Sequence, residues 1–388
     1  MSSAGSNAIV SAGGYKDLGT TRFTFVGVLP VMNFSRIFQA LSFLAIATLV
    51  RADEPPVSAR KVIIDQDTLG PASTNLQSVA MLLNAKGVDV LGICVVTGDN
   101  WRDVEVRHAL RLLEIMGRTN VPVVPGAVFP LVNTAASNEV WEKLYGKLVY
   151  KGAWDLARPG KFADPYGAPD LEEGNPTTLP SPESAALFII RSVHQFPGQV
   201  TLWCGGPLTD IALACRLDPA LPQLAREIIL MGGSFQPETD AREFKHSPRR
   251  SFNLRFDPEA AHIVLTAPWR KLTLSPVDVA PSLKSTAADF ATIAAAGTPL
   301  GTYLGKYAQR DRPMRDEVTA ATWIDPTLVT RSEEFYVDVN ITHDAGYGDT
   351  LSWAEDFRPG LGEQKATVQR AIDEPRFKAL FLSLLSQN

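Results

Sequence analysis

The chain has 388 residues, 45% of them hydrophobic, enough to bury a large core as one big α/β domain or two smaller ones. A formal net charge of -5 and a pI near 5.7 lack the basic surplus that a nucleic-acid-binding protein carries. Cys94, Cys204 and Cys215 sit in apolar or glycine-rich contexts without metal-ligand spacing and read as buried thiols.

In chain order, the first fifty residues do not read as fold. Arg36 precedes an apolar run from Ile37 to Val50, and Val50-Arg51-Ala52 then leads into the charged Asp53. Residues 32–52 therefore have the layout of a secretory signal, too short for a comfortable membrane span, and residues 1–31 form an upstream extension. The expectation is an exported, periplasmic or secreted protein with no membrane span in its mature form. Residues 53–388 are expected to form a single α/β domain.

After Pro55-Pro56, strand and helix patterns alternate. Lys61–Ile64 reads as a strand, Leu76–Ala85 as a helix, Val88–Val96 as a strand, Val104–Met116 as a helix and Val121–Val124 as a third strand. The stretch from Pro130 to Pro182 is polar and rich in Gly and Pro, yet carries Trp141, Tyr145, Tyr150 and Trp154. A loop this long with aromatic side chains predicts a partly helical flap. Alternation resumes with helix Glu183–Gln195, strand Val200–Trp203, helix Thr209–Leu217 and strand Glu227–Met231. A polar loop to Arg250 precedes Asp257-Pro258, which opens a helix with Pro in its first turn. Lys271–Leu274 is a strand, Ser285–Ala296 and Leu300–Arg310 are helices, and Asp316 starts another helix. Short strands at Phe335–Val339 and Thr350–Trp353 and a helix at Pro375–Leu385 close the chain. Apolar strands separated by helices predict an open, mostly parallel sheet with helices on both faces.

The chemistry gathers at strand ends. Asp65 and Asp67 close the first strand, and their spacing of two predicts side chains on one side of an extended segment. Gly98-Asp99-Asn100, Gly205-Gly206 and Gly232-Gly233 follow later strands, and Asp316 opens a helix, where an Asp commonly serves as N-cap. Carboxylates, open backbone carbonyls and few bases suit a hard cation such as Ca²⁺. No GxGxxG follows the first strand, which excludes the usual dinucleotide-binding site.

These segments resemble the inosine–uridine-preferring nucleoside hydrolases, from the Asp65/Asp67 strand through VTGDNWRDVEVRHALRLLEIMGRTNVPVVPGA, GGPLTDIALACRLDPAL, IILMGG and FNLRFDPEAAHIVL to DEVTAATWIDPTLVT. The resemblance implies hydrolysis of the N-glycosidic bond of ribonucleosides by a water on a Ca²⁺ ion. It implies Asp67 as metal ligand and general base, with Asp65, Asp316 and the Gly205 carbonyl as further ligands. Asn253 and either Asp99 or Asn100 would contact the sugar of a small nucleoside substrate. It also implies a homo-oligomer.

The chain departs from the family's DxDxGxDD opening, having Leu76 and Gln77 where two aspartates stand; Asn75 or Gln77 offers an amide oxygen instead. Ser251 stands where the family has glutamate, and Arg315 where it has the histidine that protonates the leaving base. His246 is then a candidate acid. The competing reading is a weak or inactive homologue that binds a nucleoside or sugar.

Overall fold

A computed structural model of the protein describes residues 59–158, 160–236, 245 and 248–387. The signal-like segment 32–52, the extension before it and His246 lie outside the described residues.

Among the described residues nine strands form one sheet: β1 (Arg60–Gln66), β2 (Val88–Val95), β3 (Val123–Pro125), β4 (Val200–Cys204), β5 (Glu227–Met231), β6 (Leu272–Ser275), β7 (Val329–Val339), β8 (Thr350–Trp353) and β9 (Gln364–Ile372). Their order is β3-β2-β1-β4-β5-β6-β9-β7-β8. Every pairing from β3 through to β9 is parallel, and only β7 pairs antiparallel, with β9 and β8. The open, mostly parallel sheet read from the sequence is the sheet observed. β9 was not anticipated, because Gln364–Ile372 alternates Ala366 and Val368 with polar residues, and β7 begins six residues earlier than its apolar end at Phe335–Val339.

β1 shows why the central strands read as unbroken apolar runs. Val62 and Ile64 face one core, with helices Thr74–Asn84, Arg102–Ile115, Arg315–Ile324 and Glu374–Leu385; Ile63 faces the other, with helices Ala185–Gln195, Thr209–Leu217 and Pro258–Leu265. Both faces are covered, so both sets of side chains are apolar. The order of strands reverses at β1, whose next strand in the chain lies on one side while β4 lies on the other. In open α/β sheets the crevice beyond such a switch point is where ligands bind. Here it lies beyond Gln66 and Cys204.

Helix Thr74–Asn84 starts two residues earlier than predicted because the Ser73 hydroxyl accepts the Leu76 N–H and caps it. The chain reaches it through a tight turn with positive φ at Leu69, Gly70 and Ala72, and a Cβ at Gly70 would lie 2.1 Å from the His108 ring. Only glycine fits there.

Candidate functional site

A cleft of about 290 Å³ opens at the switch point. Asn75, Asp99, Gly205, Asn253 and Asp316 line it, together with Tyr150 and the arginines Arg158, Arg250, Arg255, Arg312 and Arg315. Residues more than two hundred positions apart are thus brought together by the carboxyl ends of the strands.

Asp67 lies just past the end of β1, one layer beneath the cleft wall and 1% exposed. Its Oδ1 accepts from Asn75 Nδ2 at 3.0 Å, and its Oδ2 accepts from the Asp99 backbone N–H at 2.9 Å. Close approach of the β2 turn makes the second bond possible, since a Cβ at Gly98 would sit 2.2 Å from Oδ2. Burial pushes the Asp67 carboxyl well up, and Asp99, Glu105 and Asp316 push it in the same direction. Asp316 is the second residue of helix Arg315–Ile324, not its N-cap; Met314 holds that place without a side-chain bond. Its Oδ1 accepts from Gln66 Nε2 at 3.2 Å, and burial raises its carboxyl to about 7.

Other sequence expectations separate in space. Asp65 does not share a side with Asp67. It points into the core between β2 and β4, against the Asp210 carboxyl, with Cys94 and Cys204 as its strand partners. The period-two argument fails because it holds only within a strand, and Asp67 has already left one. Gln77 is also apart from the cleft: its amide folds back on the Ala72 carbonyl at 2.9 Å. Of the two adjacent candidates for the sugar contact, Asp99 lines the cleft, while the Asn100 amide donates to the Gly160 carbonyl in the flap. Asn253 also lines the cleft, with Nδ2 donating to Gly205 O at 2.6 Å and to Met231 O at 3.0 Å.

The flap supplies what the sequence reading missed. The Tyr150 hydroxyl bonds Asp99, and burial keeps the phenol protonated by pushing it up. Lys161 Nζ donates to the Asp99 carbonyl oxygen. The flap is docked by the Ala153 N–H on Gly98 O at 2.9 Å and by Trp154 stacked on Phe256 with centroids 4.3 Å apart. The only hint in the sequence was the mixture of aromatic and basic residues in a stretch too long to be a plain connection. Gln66 was also missed, although a lone amide between two aspartates at the end of an apolar strand is itself a signal.

Calcium takes about six to eight oxygen ligands. Of the six ligands that the resemblance implies or this chain offers, Asp65 and Gln77 lie elsewhere, Asn75 turns its Nδ2 and not its oxygen toward Asp67, and Asp67 Oδ1, Asp316 Oδ1 and Gly205 O each face the N–H of a side-chain amide. Among the described residues no group of three or more His, Cys, Asp or Glu side chains is placed to hold a metal ion. The donor set as arranged does not fit the ion.

A sequence model of the family described as inosine-uridine preferring nucleoside hydrolase matches residues 62–379. Uridine nucleosidase 1 of Arabidopsis thaliana is 27% identical, covering 80% of this chain and 77% of its own length. The pyrimidine-specific ribonucleoside hydrolase RihB of Escherichia coli O157:H7 is 26% identical, covering 75% of this chain and 87% of its own length. The structure of the plant nucleoside hydrolase PpNRh1 superposes with a TM-score of 0.65 at 22% identity, covering 85% of this chain and 99% of that one, a likeness of fold. The chain belongs to the inosine-uridine preferring nucleoside hydrolase family and is a hydrolase of the ribonucleoside N-glycosidic bond.

Proposed function

We propose that the cleft binds a ribonucleoside with its sugar on Asp99, Asn253 and Asp316, and that Asp67 is the base that takes a proton from the attacking water. The observation that carries this reading is the convergence of the β1 end, the β4 turn and helix Arg315–Ile324 on one hydrogen-bonded floor. Each Asp67 oxygen accepts one N–H and keeps a lone pair for water. A carboxylate raised above its ordinary range is a stronger base once ionised. As the C1′–N bond breaks, its electron pair leaves with the base, which takes a proton from solvent at the open cleft, and positive charge develops on the sugar ring as the water oxygen bonds to C1′. The carboxylates of Asp99 and Asp316 stabilise that charge from fixed positions, without reorganising at the moment of reaction.

Release of free base from a panel of ribonucleosides by the full chain tests the assignment, with Asp67→Asn as control. Turnover by the parent and its loss in a folded variant are expected; a variant as active as the parent removes Asp67 from the mechanism. The second reading, a homologue that binds without turnover, has one specific support: Asp67 is 1% exposed and covered by Asn75 and the Asp99 backbone. Saturable nucleoside binding without base release would favour it. The pattern of residues 32–52 supports action after export, which a periplasmic reporter fused after Asp53 tests; retention of the reporter in the cytoplasm would refute it.

A further inference from the structure

We propose that in this chain three side-chain amides, those of Gln66, Asn75 and Asn253, stand in for the divalent cation that the family resemblance implies, so that the cleft works without one. The inference rests on the hydrolase reading for its consequence in catalysis, but not for its structural content. Each amide gives an N–H to an oxygen that the resemblance assigns to the ion: Gln66 to Asp316 Oδ1 at 3.2 Å, Asn75 to Asp67 Oδ1 at 3.0 Å, and Asn253 to Gly205 O at 2.6 Å.

An amide can be turned over to offer its oxygen, so the question is what fixes each orientation. Gln66 Oε1 accepts the Asp67 backbone N–H at 2.9 Å, and a turned amide would set donor against donor there. Asn75 Nδ2 also donates to the Asp67 carbonyl at 2.6 Å, and Asn253 Nδ2 to the Met231 carbonyl at 3.0 Å. Turning either one would press its oxygen against two others. All three are buried, so such a mismatch would find no water to relieve it. Gln66 also fills the space itself: a Cβ at Gly205 would lie 2.2 Å from its Nε2, which places the amide flat against the glycine whose carbonyl the ion would use. Positive ends of amide dipoles thus meet the carboxylates where a cation would otherwise do so.

The test uses the full chain after treatment with EDTA and dialysis. It is titrated with CaCl₂ alone, by calorimetry and by Tm, and assayed on the nucleoside panel with chelator and with CaCl₂. No binding heat, no calcium-dependent change in Tm and the same turnover in EDTA are expected. Stoichiometric calcium binding, or turnover lost in EDTA and restored by CaCl₂, overturns the proposal. A folded chain that neither binds calcium nor turns over any nucleoside supports the amide assignment and counts against the hydrolase reading, so the two fail separately. Asn75→Asp replaces a donor by an acceptor beside Asp67, and a calcium-dependent rise in Tm is expected for this variant. The same rise in the unchanged chain overturns the proposal.

Discussion

Asp210→Asn is expected to stabilise the protein, by an amount that grows with pH. Asp65 and Asp210 meet carboxyl to carboxyl in the core, both about 1% exposed, and the pair is comfortable only while it holds a proton. Asp65 is pushed well up by burial and then by Asp210, so the pair as a whole holds a proton above the ordinary carboxyl range. Burial raises Asp210 to about 7, against the ordinary carboxyl value; the Ala127 N–H on its Oδ1 at 2.7 Å opposes this without cancelling it. A carboxyl raised in the folded state binds its proton more tightly there than in the unfolded chain. Stability is therefore full below the unfolded value of roughly 3.9 and falls as pH rises to about 7. At about 1.4 kcal/mol per pH unit the full loss is roughly 4 kcal/mol, of which about 2–3 kcal/mol accumulates between pH 5 and pH 8. An asparagine keeps the shape, accepts the Ala127 N–H and has nothing to ionise. With an unfolding entropy of about 2.1 cal/mol/K per residue over roughly 330 residues, the variant should gain about 3–4 °C in Tm on the parent between pH 5 and pH 8. Scanning calorimetry at both pH values measures this. A constant difference between variant and parent at the two pH values would refute the shared-proton account.

The other perturbations are simpler. Asp67→Asn should lower kcat by about 10²–10⁴ if the carboxylate is the general base, with the circular dichroism spectrum unchanged. Gly205→Ala would place a methyl 2.2 Å from the Gln66 amide, so Tm and turnover should fall together; an unperturbed variant would mean that Gln66 is not held where the structure puts it. The His262 ring bonds the Asp338 carboxylate at 2.9 Å, which raises its pKa. That contribution is present below pH ~6.5 and is lost as pH rises through the raised folded value, so Asp338→Asn should flatten the Tm profile above pH ~6.5.

What the sequence made legible follows from burial. A strand covered on both faces must be apolar, so β1, β2, β4 and β5 announced themselves, and polar residues at their carboxyl ends marked the cleft. Less legible was anything decided by a single side chain's direction. Asp65 and Asp67 look equivalent in the sequence, but one remains within β1 and points into the core while the other has entered the turn. Gln66 crosses to helix Arg315–Ile324, a contact over 250 positions that no local pattern encodes. Asp316 resembles an N-cap because its neighbours form a helix start, yet the helix begins one residue before it.

The flap shows the same limit in electrostatic form. Asp67, Asp99, Glu105 and Asp316 act on one another at the cleft floor, and like charges brought together in a buried place oppose ionisation. Lys161 is the cation that acts on three of them, Asp99, Glu105 and Asp67, and it arrives from the flap, not from the sheet. Its position depends on neighbours that pin the flap down: Trp101 Nε1 donates to the Phe162 carbonyl at 2.7 Å, and Asn100 Nδ2 to the Gly160 carbonyl at 3.0 Å. A segment that reads as a cover therefore sets the charge balance of the floor beneath it. Lys161→Met keeps much of the apolar stem and removes the charge. With the counter-charge gone, the carboxylates should hold their protons to higher pH, so the acid limb of the pH–kcat/KM profile should move upward. Arg158, which opposes Lys161 electrostatically and pairs with Asp155 at 2.7 Å, serves as the control. Its replacement by Met should leave that limb in place or lower it. An acid limb that moves up equally in both variants would mean that net charge at the cleft mouth matters, and that the placement of Lys161 does not.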